Sequence, residues 1–192
     1  MEGRPNVRLV VADAVRLDWS PTLGGGVWHM ASNLPYNVAV PVVLRLLEEA
    51  PSVRHLLVMV QREVGERLVA APGAEAYGAV SVKVAYFAEA KLLRRIPPSV
   101  FWPEPQVESV LVRLTAHEPP VSVPRGRLFR VIDEGFAQRR KTMANALVRL
   151  GVERAPAARL LEACDADARA RAESLSLQQF ACLAAAIESW NV

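Results

Sequence analysis

The sequence holds only two cysteines and three histidines in 192 residues. Cys164 and Cys182 show no Cys-x-x-Cys spacing, and His29, His55 and His117 are isolated from them and from one another. No metal site is expected from such a set. The default reading of the cysteines is a pair of reduced, buried thiols in a cytosolic protein. No apolar run approaches the ~18 residues of a membrane span. No apolar segment of a signal peptide follows Met1-Glu2-Gly3-Arg4-Pro5, so the expected location is the cytoplasm. Glycine clusters once, at Gly24-Gly25-Gly26; no helix start follows, which makes it a turn and not a phosphate loop. Internal repeats and low-complexity tracts are missing too.

What is present is a hydrophobic content of 52%, enough for a sizeable core in one domain plus a small appendage. Charge is unevenly spread. Residues 125–159 carry nine Lys/Arg against Asp133, Glu134 and Glu153, a net +6 in a chain whose total is +3. A basic segment on a mildly acidic body suits a polyanionic partner, and equally a solvated helix face.

Arg8–Ala12 reads as a short buried strand ending at Asp13, Val27–Ser32 as a second and Arg54–Val60 as a third. Helical spacing occupies Val38–Glu49, Glu63–Ala70 and Tyr77–Phe87. Apolar strands alternating with helices predict an α/β fold whose parallel sheet is covered on both faces. Strands are expected again at Lys91–Ile96 and Val107–Leu114. Between them Pro97, Pro98, Pro103 and Pro105 stiffen a loop. From Glu118 through Pro124 the chain reads as a linker. Beyond it, Leu128, Ile132 and Phe136 step by four, as do Met143 and Leu147, and Gly151 closes that helix. Ser176-Leu177-Gln178-Gln179 reads as a capping box, followed by the apolar face Phe180, Leu183, Ala184 and Ile187. The division expected is 1–117 for the α/β part and 118–192 for the helical part.

Asn33-Leu34-Pro35-Tyr36 follows the second strand. An adenine amine is a poor nucleophile because its lone pair is delocalised into the ring. The Asn33 side-chain oxygen and the Leu34 carbonyl, held by Pro35, can accept its two hydrogens, and Tyr36 can stack on the base. Alone, the four residues fit a strand-to-helix turn with a buried tyrosine equally well. The proline loop offers a second ring, Phe101, which with Tyr36 could sandwich an extruded base; a packing role is the simpler reading of that ring alone.

Asn33-Leu34-Pro35-Tyr36, Gln61-Arg62-Glu63-Val64 with Arg67-Leu68, Tyr77-Gly78, the F-x-P-x-P-x-V-x-S run Phe101–Ser109, Phe136-Ala137-Gln138-Arg139-Arg140-Lys141 and Arg171-Ala172-Glu173 occur in one order. Together they resemble the KsgA/RsmA-type family of small-subunit ribosomal RNA adenine-N6 dimethyltransferases, over essentially residues 8–190. The resemblance implies a partial Rossmann-like class I methyltransferase sheet, then a small all-α domain that docks on rRNA. It implies S-adenosylmethionine as cofactor, the immature small ribosomal subunit as partner, and two adjacent adenines near the RNA 3′ end as substrate. By the same resemblance, Asn33, Leu34, Pro35, Tyr36 and Phe101 hold the target base. Asp13, with Asn33, contacts the cofactor, and Arg139, Arg140 and Lys141 contact RNA. For Arg140, four residues after Phe136, a structural ion pair is an equal alternative.

One departure stands out. The family's glycine-rich cofactor loop and ribose-binding acid lie upstream on two βα units, so roughly 70–90 residues are missing by that comparison. The chain alone is therefore expected to bind cofactor weakly or not at all. The edge at Val27–Ser32 is expected to pair with Leu9–Ala12 or with another molecule. A non-enzymatic RNA-binding or ribosome-assembly module is the alternative.

Overall fold

The computed structural model describes residues 6–188. The continuous apolar run Leu56-Leu57-Val58-Met59-Val60 suits a strand with neighbours on both sides, and β2 (Val53–Gln61) is such a strand. It lies between β1 (Trp28–Asn33) and β4 (Ser109–Ala116), with β3 (Ala88–Ile96) outermost, in the order β1-β2-β4-β3. β1 runs parallel to β2, whereas β4 is antiparallel to both β2 and β3. The sheet is thus mixed, not parallel throughout as the alternation suggested. A crossover helix, α2 (Ala39–Glu49), joins β1 to β2, but the chain passes from β3 to β4 by the proline loop alone, which suits antiparallel pairing.

Alternation along the strands divides the sheet into two faces. Leu56, Val58, Val60, Val110, Val112 and Leu114 are fully buried, against the layer formed by α2, α3 (Arg62–Val69) and α4 (Ala79–Phe87). α3 approaches so closely that a Cβ on Gly65 would lie 2.2 Å from Val110 Cγ2. The opposite face carries the row Ala31, Leu57, Arg113, Lys91, all exposed, and the row Asn33, Met59, Leu111, Arg94. It is open to solvent, so the expectation of cover on both faces is corrected. Apolarity does not separate the two: Leu57 and Met59 belong to the open side.

The first expected strand does not form. Residues 7–12 form neither helix nor strand, and Leu9 and Val11 are 76% and 93% exposed. A buried strand needs a laddered neighbour, and β1 pairs only with β2. The proposed pairing of Leu9–Ala12 with β1 is therefore absent. A short helix, α1 (Trp19–Leu23), precedes β1.

Beyond β4 the described chain is helical: α5 (Arg125–Phe136), α6 (Met143–Arg149), α7 (Arg154–Ala163) and α8 (Leu177–Glu188). The steps of four place Leu128, Ile132, Met143 and Leu147 in the core, and Gly151, at φ +97°, turns the chain after α6. The capping box forms as expected. The Ser176 amide donates to Gln179 Oε1 at 2.9 Å, and the Gln179 amide to Ser176 Oγ at 3.2 Å. Phe180, Leu183, Ala184 and Ile187 are all buried.

The cysteines are not free thiols. α7 and α8 pack together and bring Cys164 and Cys182 to a Cα–Cα distance of 5.7 Å, where they form a disulfide. Compartment and spacing in sequence carry no information about that proximity. Reduction reopens a loop 18 residues in span and is expected to lower the unfolding free energy by ~3 kcal/mol. Urea titrations with and without dithiothreitol test this; coincident midpoints would refute it.

Tyr77 joins the sheet-bearing part to the helices. Its ring meets Phe136 edge-on at 6.1 Å, and its hydroxyl donates to the Leu175 carbonyl at 2.8 Å. Burial pushes the phenol from 10.0 up to about 12. Above pH ~10 the unfolded chain loses this proton while the folded chain keeps it, so stability falls as pH rises from ~10 to ~12. Tyr77→Phe is expected to flatten that slope, read from unfolding midpoints across the range; an unchanged slope would assign it elsewhere.

Candidate active site

β1 ends at Asn33, and the chain turns at once. The Leu34 amide donates to the Met59 carbonyl at 3.1 Å, which ties the turn to β2, and the Val38 amide donates to the Pro35 carbonyl at 3.1 Å ahead of α2. Leu34 is anchored in the core at 5% exposure, while Asn33 and Pro35 stay in solvent. The proline loop supplies the facing surface. A 3-10 turn at Pro98–Val100 is followed by Phe101, whose amide donates to the Pro98 carbonyl at 3.0 Å.

Asn33, Leu34, Pro35 and Tyr36 on one side and Phe101, Trp102, Pro103 and Pro105 on the other line a single open cleft of about 340 Å³. That volume lies within the range of small-ligand clefts. A larger cavity, about 440 Å³, lies among Ala70, Ala85, Ala88, Tyr77 and His117. Glu89, Ser176 and Gln178 line it as well; the smaller cleft is the one that gathers the Asn-Leu-Pro-Tyr turn and the proline loop.

Two features of the cleft carry no signal in sequence. The Tyr36 hydroxyl lies 3.0 Å from Ser109 Oγ, and Ser109, the first residue of β4, is fully buried. Ser109 pairs with Gln61 on one side and Ile96 on the other, so Tyr36 is fastened to the middle of the sheet. Ser109 belongs to the F-x-P-x-P-x-V-x-S run, but its partner follows from the fold alone. The second feature is Trp102, 98% exposed at the rim.

Other candidate residues lie elsewhere. Asp13 does not line the cleft; its Oδ1 accepts the Val15 amide at 2.9 Å and its Oδ2 lies 3.7 Å from Arg16 Nε. Arg139, Arg140 and Lys141 are exposed in the turn between α5 and α6, because α5 ends at Phe136. Arg139 lies 3.7 Å from Glu173, which joins two of the sequence motifs. Arg140 makes no ion pair among the described residues, so the structural alternative for it is not realised. Part of the basic segment is engaged: Arg125 pairs with Glu48 at 2.8 Å, and Arg149 with Glu134.

The described residues do not fit S-adenosylmethionine. Residues 7–12 are exposed, and Gly24–Gly26 leads into a strand, not a helix N-terminus. What the cleft gathers is the Asn33 carboxamide and the rings of Tyr36, Phe101 and Trp102.

The strand order and crossover define a Rossmann-like methyltransferase fold, as in two solved structures. A dimethyladenosine transferase from Plasmodium falciparum superposes with a TM-score of 0.79 at 20% identity, over 100% of this chain and 76% of that one. The 23S rRNA methyltransferase ErmE gives 0.69 at 19%, over 97% and 74%. The chain belongs to the ribosomal RNA adenine dimethylase family, whose model matches residues 3–188. Two curated relatives carry the name ribosomal RNA small subunit methyltransferase A. That of Kineococcus radiotolerans is 46% identical over 95% of this chain, and that of Thermobifida fusca 46% over 93%. The chain spans 61% and 62% of their respective lengths.

Proposed function

We propose that this chain is the base-holding and RNA-docking portion of an rRNA adenine dimethyltransferase. Its substrate would be two adjacent adenines near the 3′ end of small-subunit rRNA, modified at N6 on the immature subunit in the cytoplasm. The cleft shared by Asn33-Leu34-Pro35-Tyr36 and Phe101, from distant stretches of sequence, is the observation that carries this reading. In this reading Asn33 and the Leu34 carbonyl accept the hydrogens of the adenine amine and turn its lone pair outward. Tyr36 and Phe101 hold the ring, and Pro35 keeps the carbonyl in place. Arg139, Arg140 and Lys141 contact phosphates from the 118–192 helical unit, while 1–117 forms the catalytic unit. S-adenosylmethionine is the methyl donor in this reading, and the described residues do not by themselves supply its site. Among the described residues one edge of β1 is unpaired, and in this reading it is available to a further strand or to a second copy.

That Gly24–Gly26, the one glycine cluster, leads into a strand and not a helix favours a second reading, a non-enzymatic RNA-binding module. Immature small subunits and labelled methyl donor separate the two. The chain alone is expected to be silent. Joined to the N-terminal segment of the Kineococcus relative, it is expected to label adenine. A silent joined protein would defeat the enzymatic reading.

A further inference from the structure

Trp102 is the most exposed large apolar side chain among the described residues, at 98%, against 40% for Trp28. It packs on nothing that would explain an indole there, yet it stands on the rim of the cleft beside Phe101. Phe101 and Trp102 occupy consecutive positions of the bend that leads into Pro103. Phe101 is half-buried and Trp102 stands in solvent. Pro98, Pro103 and Pro105 restrict the loop, so little ordering entropy remains to be lost when something stacks on the indole. Glu104, exposed next to it, repels phosphate, so the favoured contact is with a base face and not with the RNA backbone.

We propose that Trp102 is a second stacking platform, which receives the base adjacent to the one held between Tyr36 and Phe101 in a single-stranded RNA. The proposal rests on reading the cleft as a nucleobase pocket. Two neighbouring bases are then splayed, one inward against Phe101 and one outward on the indole. Each nucleotide is gripped through a face that every base possesses, so Trp102 adds affinity with little preference for the identity of the neighbour.

The test measures affinity of the full 192-residue chain for short oligoribonucleotides with a central adenine. The neighbouring nucleotide is either intact or abasic. Removing that base is expected to weaken wild-type binding about 5- to 150-fold. Trp102→Ala is expected to weaken binding of the intact RNA by a similar factor and to erase the abasic penalty, while Trp102→Phe keeps most of both. Because Trp102 is solvent-exposed, these variants are expected to fold as the parent does. An abasic penalty that persists in Trp102→Ala overturns the proposal. So does a loss of affinity that accompanies a change in oligomeric state, since the indole is then a contact between copies. Tyr36→Ala reports separately on the pocket reading. If it leaves adenine dependence intact, that reading fails; if it abolishes it while Trp102→Ala is inert, only the platform fails. No binding by the wild-type chain overturns both.

Discussion

Gly65→Ala is expected to lower the unfolding free energy by about 3 kcal/mol, the upper part of the range for overpacked cores. The new methyl would lie 2.2 Å from Val110 Cγ2, 3.2 Å from Val112 Cγ2 and 3.5 Å from Val60 Cγ2. Those three valines belong to the two central strands and are fully buried, so none has free volume to retreat into. α3 must lift off the sheet or the valines must leave their rotamers. Gly126→Ala in α5 is the control. Nothing lies within 4 Å of its Cβ position, so alanine there is expected to stabilise by ~0.5–1 kcal/mol through helix propensity. Chemical denaturation of both variants checks the pair. Equal effects of the same sign would contradict the close approach of α3 to the sheet.

Tyr36→Ala is expected to reduce affinity for adenine-bearing single-stranded RNA by about 5- to 150-fold, the effect of one lost base–aromatic stack. The bond between Tyr36 and Ser109 adds a finer test. Tyr36→Phe keeps the ring but leaves the buried Ser109 hydroxyl without its partner, and Ser109→Ala does the reverse. Each is expected to cost ~1 kcal/mol of stability, and the double variant little more than either, because both remove the same hydrogen bond. Additive losses in denaturation would show that the two groups act independently.

Sequence and structure agree best where a local pattern decides the outcome. Val38–Glu49 matches α2 within a residue, and the reciprocal bonds of Ser176 and Gln179 start α8 as their spacing requires. They part where a neighbour decides. Arg8–Ala12 has the composition of a buried strand, but a strand is completed by the chain beside it. Compartment predicts free thiols at Cys164 and Cys182, whereas the packing of α7 on α8 determines their pairing. The antiparallel β3–β4 pair was within reach of the sequence, since no helix separates the two strands. At the cleft, the family resemblance, not spacing alone, joins Asn33, Leu34, Pro35, Tyr36 and Phe101, and these residues line one cleft. Spacing could not single out the hydrogen bond of Ser109, because a serine at the head of a strand resembles many others. Family likeness alone singles out Asp13, as a cofactor contact and not as part of the cleft.

The bare side of the sheet makes this molecule's solubility hostage to ionic strength. Arg94 and Arg113 flank Leu57, Met59 and Leu111 there, while Lys91 is paired with Glu89 at 2.8 Å. In dilute buffer, like charges hold two such surfaces apart. As the Debye length shrinks from ~10 Å at 0.1 M to ~3 Å at 1 M, that repulsion disappears and the oily centres can meet. Concentrated salt is therefore expected to cloud a solution that dilute salt keeps clear.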